Sequence, residues 1–274
     1  MASFRFLDYD IHYTLDGDLN NPVLVILNGI MMSTKSWDVF IADFSQHFLV
    51  LRVDMLDQGL SSKCRKEYTQ ALQVEMLKGL LESLNYDKVH LLGISYGGSV
   101  ALQFAAKYPA QLSKLLLFNI VAKTSDWLKA IGDGWNAVAM TRNGEAYYNI
   151  TIPYIYAPTF YQERIEWMTE RKALLVPLFS DPEFLDAMIR LTKSAESHDV
   201  SKDLSKIEVP TLIVSGSLDF LTPPFEQAAM ARVMPNAHHL VFEGVGHASM
   251  YENPRLFVST VLGFLLTEKT PKNV

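Results

Sequence analysis

One serine of the chain lies in a setting that can turn a hydroxyl group into a nucleophile. Residues 91–98 read LLGISYGG, so that Ser95 stands between a short apolar run and a helical pattern. In this strand–turn–helix arrangement the serine sits on a strained turn, exposed to attack a carbonyl carbon. The positions two before and two after it must be small, and Gly93 and Gly97 meet that need. The pattern predicts a catalytic serine rather than an ordinary glycine-rich loop.

A serine hydroxyl needs a base to remove its proton and an acid to orient that base. Among seven histidines, His247 follows the last predicted strand in a glycine-flanked loop, EGVGHA (243–248). Asp219 ends the loop SGSLD (215–219) after another predicted strand. In parallel sheets ligands bind at the carboxyl ends of the strands. We therefore expect Ser95, Asp219 and His247 to lie at the same sheet edge.

Other titratable residues near the predicted strands are less suited to a catalytic role. His238 and His239 begin the last strand, which places them at the opposite edge of the sheet and favours a structural role. Asp54 follows a strand at the same edge as Ser95, within the turn-rich segment DMLDQGLS (54–61). We interpret Asp54 as a carboxylate that stabilises this turn, with a catalytic role as the alternative.

Alternating strands and helices position these residues. The first 17 residues alternate as a β-ribbon does, and 37–44, 68–84 and 100–106 have helical spacing. The remaining β-type runs are mostly apolar on both faces, as in the buried strands of parallel sheets. These runs are 23–27, 48–53, 89–92, 115–118, 211–214 and 239–242. The pattern predicts an α/β fold with a mainly parallel, twisted sheet and helices on both faces.

The alternation stops after Asn119 and resumes near 211. We interpret residues 121–203 as a helical lid inserted after the sixth strand, so that 1–120 and 204–274 form the core domain. The lid holds three of the four tryptophans, whose rings either face a pocket or form the lid's own core. We expect four prolines to divide it into short helices. They are Pro153, Pro158, Pro177 and Pro182.

Composition excludes several classes of protein. A net charge of −6 and a pI near 5.6 disfavour a nucleic-acid partner, because phosphate binding needs clustered lysines and arginines. No apolar run is long enough for a membrane span, and MASFRFLDYD does not read as a signal peptide. Cys64 is the single cysteine, which fits a reducing cytoplasm. We expect no metal, since no histidine or cysteine cluster has ligand spacing, and an irregular tail over 267–274.

The chain order serine, aspartate, histidine on a parallel α/β sheet resembles the α/β-hydrolase family, in particular its lidded single-domain serine esterases and enol-lactonases. The resemblance extends from the strand at 23–27 to a closing helix after Pro254. It implies that Ser95 attacks a carbonyl, that His247 acts as base and then as acid, and that Asp219 orients the imidazole. Relatives that carry aspartate in place of the serine, the haloalkane dehalogenases and epoxide hydrolases, are disfavoured.

The resemblance also implies an oxyanion hole formed by two backbone N–H groups. One belongs to Tyr96, directly after the nucleophile, and the other to Ile30 in the segment LNGIMMS (27–33). Asn28 stands where many members of the family carry histidine. Because the donor is a backbone group, the side chains of Ile30, Met31 and Met32 are free to face the pocket.

A small, mostly apolar carboxylic ester or lactone is the predicted substrate, cleaved without a cofactor through an acyl-enzyme. Trp127 of the lid is a further predicted pocket residue. No arginine or lysine stands out as a dedicated carboxylate anchor. Lys129, Arg142 and Arg164 of the lid could reach inward, but charged residues of a lid more often face solvent. Lactonase, carbon–carbon bond hydrolase and perhydrolase activities use the same triad and stay as alternatives, as does a ligand sensor with a slow triad.

Overall fold

An eight-stranded sheet lies at the centre of the structure. The computed structural model describes residues 2–267, so the predicted irregular tail, apart from Thr267, lies outside the described residues. The strands are β1 (Ala2–Phe6), β2 (Tyr9–Asp16), β3 (Val23–Leu27), β4 (Leu49–Val53), β5 (Val89–Ile94), β6 (Leu112–Phe118), β7 (Thr211–Gly216) and β8 (Ala237–Phe242).

Strand pairing makes the sheet mainly parallel, as the sequence predicts. The spatial order is β1-β2-β4-β3-β5-β6-β7-β8. Strand β2 runs antiparallel to both of its neighbours, β1 and β4, and the other five pairings are parallel. Leu27 is in register with Val53 on one side and with Gly93 on the other. The loops that follow β3, β4 and β5 therefore leave the sheet side by side.

Eleven helices surround this sheet or extend from it within residues 2–267. They are α1 (Asp38–Phe44), α2 (Gln70–Ser83), α3 (Tyr96–Lys107), α4 (Asp126–Ala139), α5 (Gly144–Ile155), α6 (Pro158–Glu163), α7 (Ile165–Phe179), α8 (Pro182–Ala195), α9 (Pro224–Val233), α10 (Ser249–Glu252) and α11 (Pro254–Leu266). No helix in this range has the length and apolar character that a membrane span requires.

Both faces of the sheet are buried, because successive side chains of each strand enter different cores. In β3, Val25 and Leu27 pack in the core that also contains α2 and α3. Leu24 and Ile26 point the other way, into the core with α1 and α11. All four side chains are fully buried, and each contributes about 1.5–3 kcal/mol through removal from water. The predicted α/β-hydrolase fold, with helices on both faces, is confirmed.

Helices α4 to α8 form an insertion between β6 and β7, and its two ends lie side by side. Lys123 and Asp199 form an isolated antiparallel bridge. Next to it, the Thr124 N–H donates to the His198 carbonyl, and the Val200 N–H donates to the Ala122 carbonyl, both at 2.9 Å. The chain therefore leaves the core and returns to it at one hydrogen-bonded neck.

Prolines divide the insertion at two of the four expected places. Pro158 and Pro182 occupy the first positions of α6 and α8, where a missing N–H costs nothing. Pro153 and Pro177 instead lie within α5 and α7, close to their C-terminal ends. Our expectation that these two prolines separate helices was wrong, because each helix continues for two residues beyond its proline.

A buried ion pair joins the insertion to the core. Arg190 of α8 donates through Nε and through a second guanidinium nitrogen to Asp57, with N···O distances of 2.6–3.1 Å. The Asp57 side chain is fully buried and also accepts from the Cys64 N–H at 2.9 Å. Asp57 comes from the loop after β4, so this pair fixes α8 against the segment that follows that strand.

We predict that Arg190→Met lowers the free energy of unfolding by about 2–3 kcal/mol, because it leaves the Asp57 carboxylate buried without its cation. The expected loss is below that of a fully buried pair, since the Arg190 side chain keeps 20% exposure. Urea unfolding measures the change. Lys193→Met is the matched control, because Lys193 of the same helix pairs with Glu67 at the surface. An Arg190→Met variant as stable as this control would contradict the assignment.

Candidate active site

Ser95 occupies a strained turn between β5 and α3. Its φ of +51° and ψ of −116° lie outside the regions that residues with a side chain normally adopt. The turn is joined to the end of the neighbouring strand β6, because the Ser95 N–H donates to the carbonyl of Phe118 at 2.9 Å. The hydroxyl of Ser95 is thereby presented at the carboxyl end of the sheet, above the first turn of α3.

Three glycines allow the backbone to approach itself closely around this turn. A Cβ on Gly93 would lie 2.5 Å from the carbonyl oxygen of Gly97, and a Cβ on Gly97 would lie 2.5 Å from the carbonyls of Leu27 and Asn28. A Cβ on Gly98 would meet a side-chain carbon of Ile120 at 2.1 Å. Real contacts are never this short, so the motif of residues 93–98 is required by the packing of α3 against β3 and β6.

His247 reaches Ser95 from the loop after β8. Its Nε2 lies 2.8 Å from Ser95 Oγ, and its Nδ1 lies 2.8 Å from Asp219 Oδ2. A carboxylate only accepts hydrogen bonds, so Nδ1 carries a proton and, in the neutral ring, Nε2 is the acceptor for the serine hydroxyl. The His247 loop is held by Glu252, which accepts the N–H of Gly246 at 2.9 Å.

The carboxylate of Asp219 is buried and fully hydrogen-bonded. Oδ1 accepts from the N–H groups of Leu221 and Thr222, both at 2.9 Å. Oδ2 accepts from the Thr222 hydroxyl at 2.7 Å and from the Asn119 amide at 2.8 Å, in addition to His247. Burial raises the pKa of the Asp219 carboxyl, but the charge and hydrogen bond of His247 and the Thr222 donors outweigh it, so the pKa lies below its ordinary value.

The loop after β3 is fixed by a buried polar network centred on Asn28. Its amide nitrogen donates to the Val53 carbonyl at 2.9 Å, and its oxygen accepts from the Trp37 indole at 2.7 Å. Asp54 accepts the N–H of Thr34 at 2.6 Å and that of Leu60 at 3.0 Å. Asp54 therefore stabilises turns, as we interpreted it, and makes no contact with the triad within residues 2–267.

This network also sets the direction of the Ile30 N–H. The carbonyl of Gly29 accepts from the Gln58 amide at 2.9 Å and from the Met32 N–H at 3.2 Å. In a trans peptide the N–H of the next residue points away from that carbonyl, so the Ile30 N–H faces away from Gln58 and Met32. The Tyr96 N–H, at the start of α3, has no intrahelical acceptor. Within residues 2–267 neither N–H has a backbone acceptor outside the helices and strands.

A cavity of about 190 Å³ opens between the triad and the insertion. Ser95, His247, Ile30, Met31 and Met32 all line it. Its wall is otherwise mainly apolar, with side chains from α4, α5 and α7. The predicted apolar loop 30–32 therefore does face this space.

Trp127 does not line the cavity, so our assignment of it to the pocket was wrong. It lies in the first turn of α4 with half of its surface exposed to solvent. Two turns further along the same helix, Trp135 is buried and lines the cavity, together with Leu128 and Ile131. Helical periodicity does not distinguish which tryptophan of a helix reaches over the sheet, because that depends on how the helix is docked.

Some of the lysines and arginines of the insertion line the cavity, and others lie at the surface. Arg142 pairs with Asp186 at the surface, and Arg164 is not part of the cavity wall. Lys129 lines the cavity but lies 3.6 Å from Asp126. Arg171, which the sequence analysis does not single out, also lines it. Within residues 2–267, no group of three or more histidine, cysteine, aspartate or glutamate side chains could hold a metal ion.

Sequence reasoning missed the residues that support the acid of the triad. Asn119 directly follows β6 and adopts a φ of +54°, which asparagine tolerates better than most residues. Its amide donates to Asp219, and its oxygen accepts from the Ser249 hydroxyl at 2.8 Å. An asparagine at the carboxyl end of a predicted strand, at the same edge as Ser95, is the signal that could have identified it.

The lowered pKa of Asp219 leads to a prediction about stability. A carboxyl whose pKa is lowered by folding stabilises the folded state above its ordinary pKa, and this contribution disappears as the pH falls through the lowered value. We expect wild type to exceed Asp219→Asn in free energy of unfolding near pH 5, and the difference to shrink as the pH falls to about 3. Urea unfolding across this range tests it. A difference that does not change with pH would contradict the assigned direction.

Comparison with known proteins identifies the family of the chain. A family model described as the alpha/beta hydrolase fold matches residues 22–254. The chain is 56% identical to MGS-M2, an alpha/beta hydrolase enzyme from a Medee basin deep-sea metagenome library, with a TM-score of 0.97 and full coverage of both chains.

More distant relatives carry names of specific hydrolases. A pimeloyl-acyl-carrier-protein methyl ester esterase of Nitrosomonas europaea is 25% identical over 259 residues, which are 91% of this chain and 97% of the relative. The enol-lactonase of Burkholderia xenovorans LB400 shares the fold, with a TM-score of 0.86 at 22% identity over 97% of this chain and 100% of that one. With a family model that covers most of its length, the chain belongs to the α/β-hydrolase family.

Proposed function

We propose that the protein is a serine hydrolase that cleaves small, mostly apolar carboxylic esters through an acyl-enzyme intermediate. The observation that carries this proposal is the unbroken line of contacts from Ser95 to His247 to Asp219, with 2.8 Å at each step. This distance is within the reach that proton transfer between a nucleophile and its base requires.

The chemistry follows from these contacts. As the Ser95 oxygen bonds to the ester carbonyl carbon, its proton passes to His247 Nε2, and the carbonyl oxygen becomes an anion. The anion collapses, the carbon–oxygen bond to the alcohol breaks, and His247 returns the proton to the departing alcohol. A water molecule then repeats the sequence on the acyl-serine and releases the carboxylic acid. Asp219 stays ionised and stabilises the imidazolium that forms twice in each cycle.

Two backbone donors support the proposed stabilisation of the anion. The N–H groups of Ile30 and Tyr96 come from elements held rigidly on either side of Ser95, one by the Gln58 amide and the other by the start of α3. Donors that are already oriented need no rearrangement when charge develops, which makes them more effective than water. The dipole of α3 adds positive potential at the same place.

The cavity wall supports the class of substrate. Met31, Met32, Leu128, Ile131 and Trp135 give it a mainly apolar surface that suits a hydrocarbon acyl or alcohol group. The similarity to a methyl ester esterase over 91% of the chain supports an ester as the bond that is cleaved.

We predict that a fluorophosphonate probe labels the native protein at Ser95. Ser95→Ala should lose labelling and should hydrolyse 4-nitrophenyl butyrate at least about a thousandfold more slowly than wild type, since the nucleophile is absent. Gel fluorescence and mass spectrometry of the adduct measure the first effect, and steady-state kinetics the second.

Ser99→Ala is the matched control for labelling. Ser99 also lines the cavity, but its hydroxyl donates to the Ser95 carbonyl and has no histidine partner. This variant should label as wild type does. Equal labelling of wild type and Ser95→Ala, or no labelling of native wild type, would contradict the proposal.

The network around Asn28 generates a separate prediction. Asn28→Ala removes the amide that joins the loop after β3 to Val53 and Trp37, so the Ile30 N–H should lose its alignment. We expect kcat to fall by about ten- to a hundredfold, less than for the complete loss of an oxyanion donor, with a smaller change in KM. Kinetics on a variant shown to be folded by circular dichroism measures the effect.

Asn20→Ala is the control for this variant, because Asn20 is exposed and bonds only to Asp18 nearby in sequence. An unchanged kcat for folded Asn28→Ala would show that Asn28 does not position the donor. A fall in the control of the same size would show that the effect is not local.

A further inference from the structure

Arg171 is a cation on the cavity wall that has no acidic partner. It lies on α7, and it lines the same cavity as Ser95 and His247. Within residues 2–267 the polar side chains that contact it are phenols and not carboxylates, and its Nε is buried without a hydrogen-bond acceptor. A partly buried guanidinium normally lies beside a carboxylate, because removing the charge from water is costly. The charge of Arg171 is therefore not neutralised by a carboxylate of the described residues.

Two aromatic rings contact the guanidinium group of Arg171. Its central carbon lies 4.4 Å from the ring centre of Tyr251 and 5.2 Å from that of Trp167. Such contacts stabilise a cation and fix the plane of the group. Its hydrogen bonds go to the phenol groups of Tyr156 and Tyr251, and within residues 2–267 none goes to a carboxylate. The edge is the part of a guanidinium that binds a carboxylate through two parallel hydrogen bonds.

The polar neighbours of Arg171 do not neutralise it. They are the phenol groups of Tyr156 and Tyr251. Burial raises the pKa of Tyr156 well above its usual range, so this phenol stays uncharged at neutral pH. Neither phenol supplies a carboxylate, so the positive charge has no ion-pair partner at the cavity wall.

The other charged groups of the cavity wall differ from Arg171. Lys129 lies 3.6 Å from Asp126, and His247 is engaged with Asp219 and Ser95. Glu196 follows the end of α8 and forms no ion pair with Arg171. Among the described residues of this wall, Arg171 is thus the cation whose hydrogen-bonding edge has no carboxylate.

We propose that Arg171 binds a carboxylate group of the substrate, so that the preferred esters are half-esters of small dicarboxylic acids. This inference rests on the proposed ester hydrolysis and specifies its substrate class. The carboxylate that binds Arg171 and the ester carbonyl that meets Ser95 are two different groups of one molecule, joined by a short hydrocarbon chain. Met31, Met32 and Trp135 of the wall suit that chain.

A pair of substrates that differ only in charge tests the proposal. One is the mono-4-nitrophenyl ester of glutaric acid, which carries a free carboxylate, and the other is the same compound with that carboxylate capped as a methyl ester. The measured quantity is the ratio of kcat/KM for the charged ester to that for the capped ester. In Arg171→Met this ratio should fall by about ten- to a hundredfold, the range expected for a hydrogen-bonded ion pair.

Lys172→Met is the matched control on the same helix. Lys172 pairs with Glu145 and is not part of the cavity wall, so its removal changes the net charge equally but leaves the site intact. Its ratio should stay within about twofold of wild type. An unchanged ratio in Arg171→Met, or an equal fall in Lys172→Met, would overturn the proposal. If Arg171→Met fails to fold, Arg171→Lys replaces it, with an expected fall of at least about threefold because the planar fork is lost.

A binding measurement separates this proposal from the proposed hydrolysis. If neither ester is cleaved by wild type faster than by Ser95→Ala, the hydrolase proposal fails. Calorimetric titration of glutarate into Ser95→Ala and into Ser95→Ala/Arg171→Met then examines the carboxylate site directly. Binding that disappears with Arg171 would support the site, whereas binding of equal strength in both, or none in either, would overturn it.

Discussion

The close approach of three backbone segments beneath Ser95 is the constraint on which the rest of the structure depends. The turn at residues 93–98 presses against the end of β3 so tightly that a methyl group at Gly97 would overlap the carbonyls of Leu27 and Asn28. This contact keeps the serine at a φ of +51°, a conformation that costs of order 1–3 kcal/mol. The same contact brings the loop after β3 beside the serine. The proposed nucleophile and the proposed oxyanion donors are thus positioned by the same packing contact.

Buried carboxylates maintain the loops that surround this contact. Asp54, Asp57 and Asp219 all follow strands at the carboxyl edge of the sheet, and each accepts at least one backbone N–H. A buried carboxylate is costly unless its oxygens are hydrogen-bonded, so each of them defines the path of the loop around it. The three carboxylates differ in their side-chain partners. Asp57 pairs with Arg190 and Asp219 with His247, whereas Asp54 accepts from the Thr34 hydroxyl.

Much of the core could be predicted from the sequence because its signals are local. Strands that are buried on both faces read as apolar runs, and β3 begins and ends where the pattern of 23–27 predicts. Other strands are longer than predicted. Strand β6 begins at Leu112 rather than 115, because pairing with its neighbours recruits polar residues such as Lys114. The triad residues were predicted from motifs at strand ends, and parallel topology then brings them to the same edge.

The insertion could be predicted much less well, since its helices acquire their orientation only by docking. Trp127 and Trp135 are both aromatic residues of α4, and nothing in their spacing indicates that the second one lines the cavity. Arg171 likewise lies in the mixed segment ERKAL, and its isolation from carboxylates becomes visible only in three dimensions. Asn119 was missed for a related reason, because its partner Asp219 lies 100 residues away.

The proposed catalysis and the proposed choice of substrate therefore depend on different parts of the chain. The groups that would break and form bonds come from the core, whose geometry is fixed by backbone packing that tolerates little variation. The groups that would distinguish one ester from another come largely from α4, α5 and α7. The insertion that contains these helices is joined to the core at the hydrogen-bonded neck, at the Asp57–Arg190 pair of α8 and at the contact between the Tyr96 and Ser194 hydroxyl groups. A cation such as Arg171 can be introduced into the cavity wall at little cost to the catalytic geometry, because the aromatic rings of Trp167 and Tyr251 stabilise it locally.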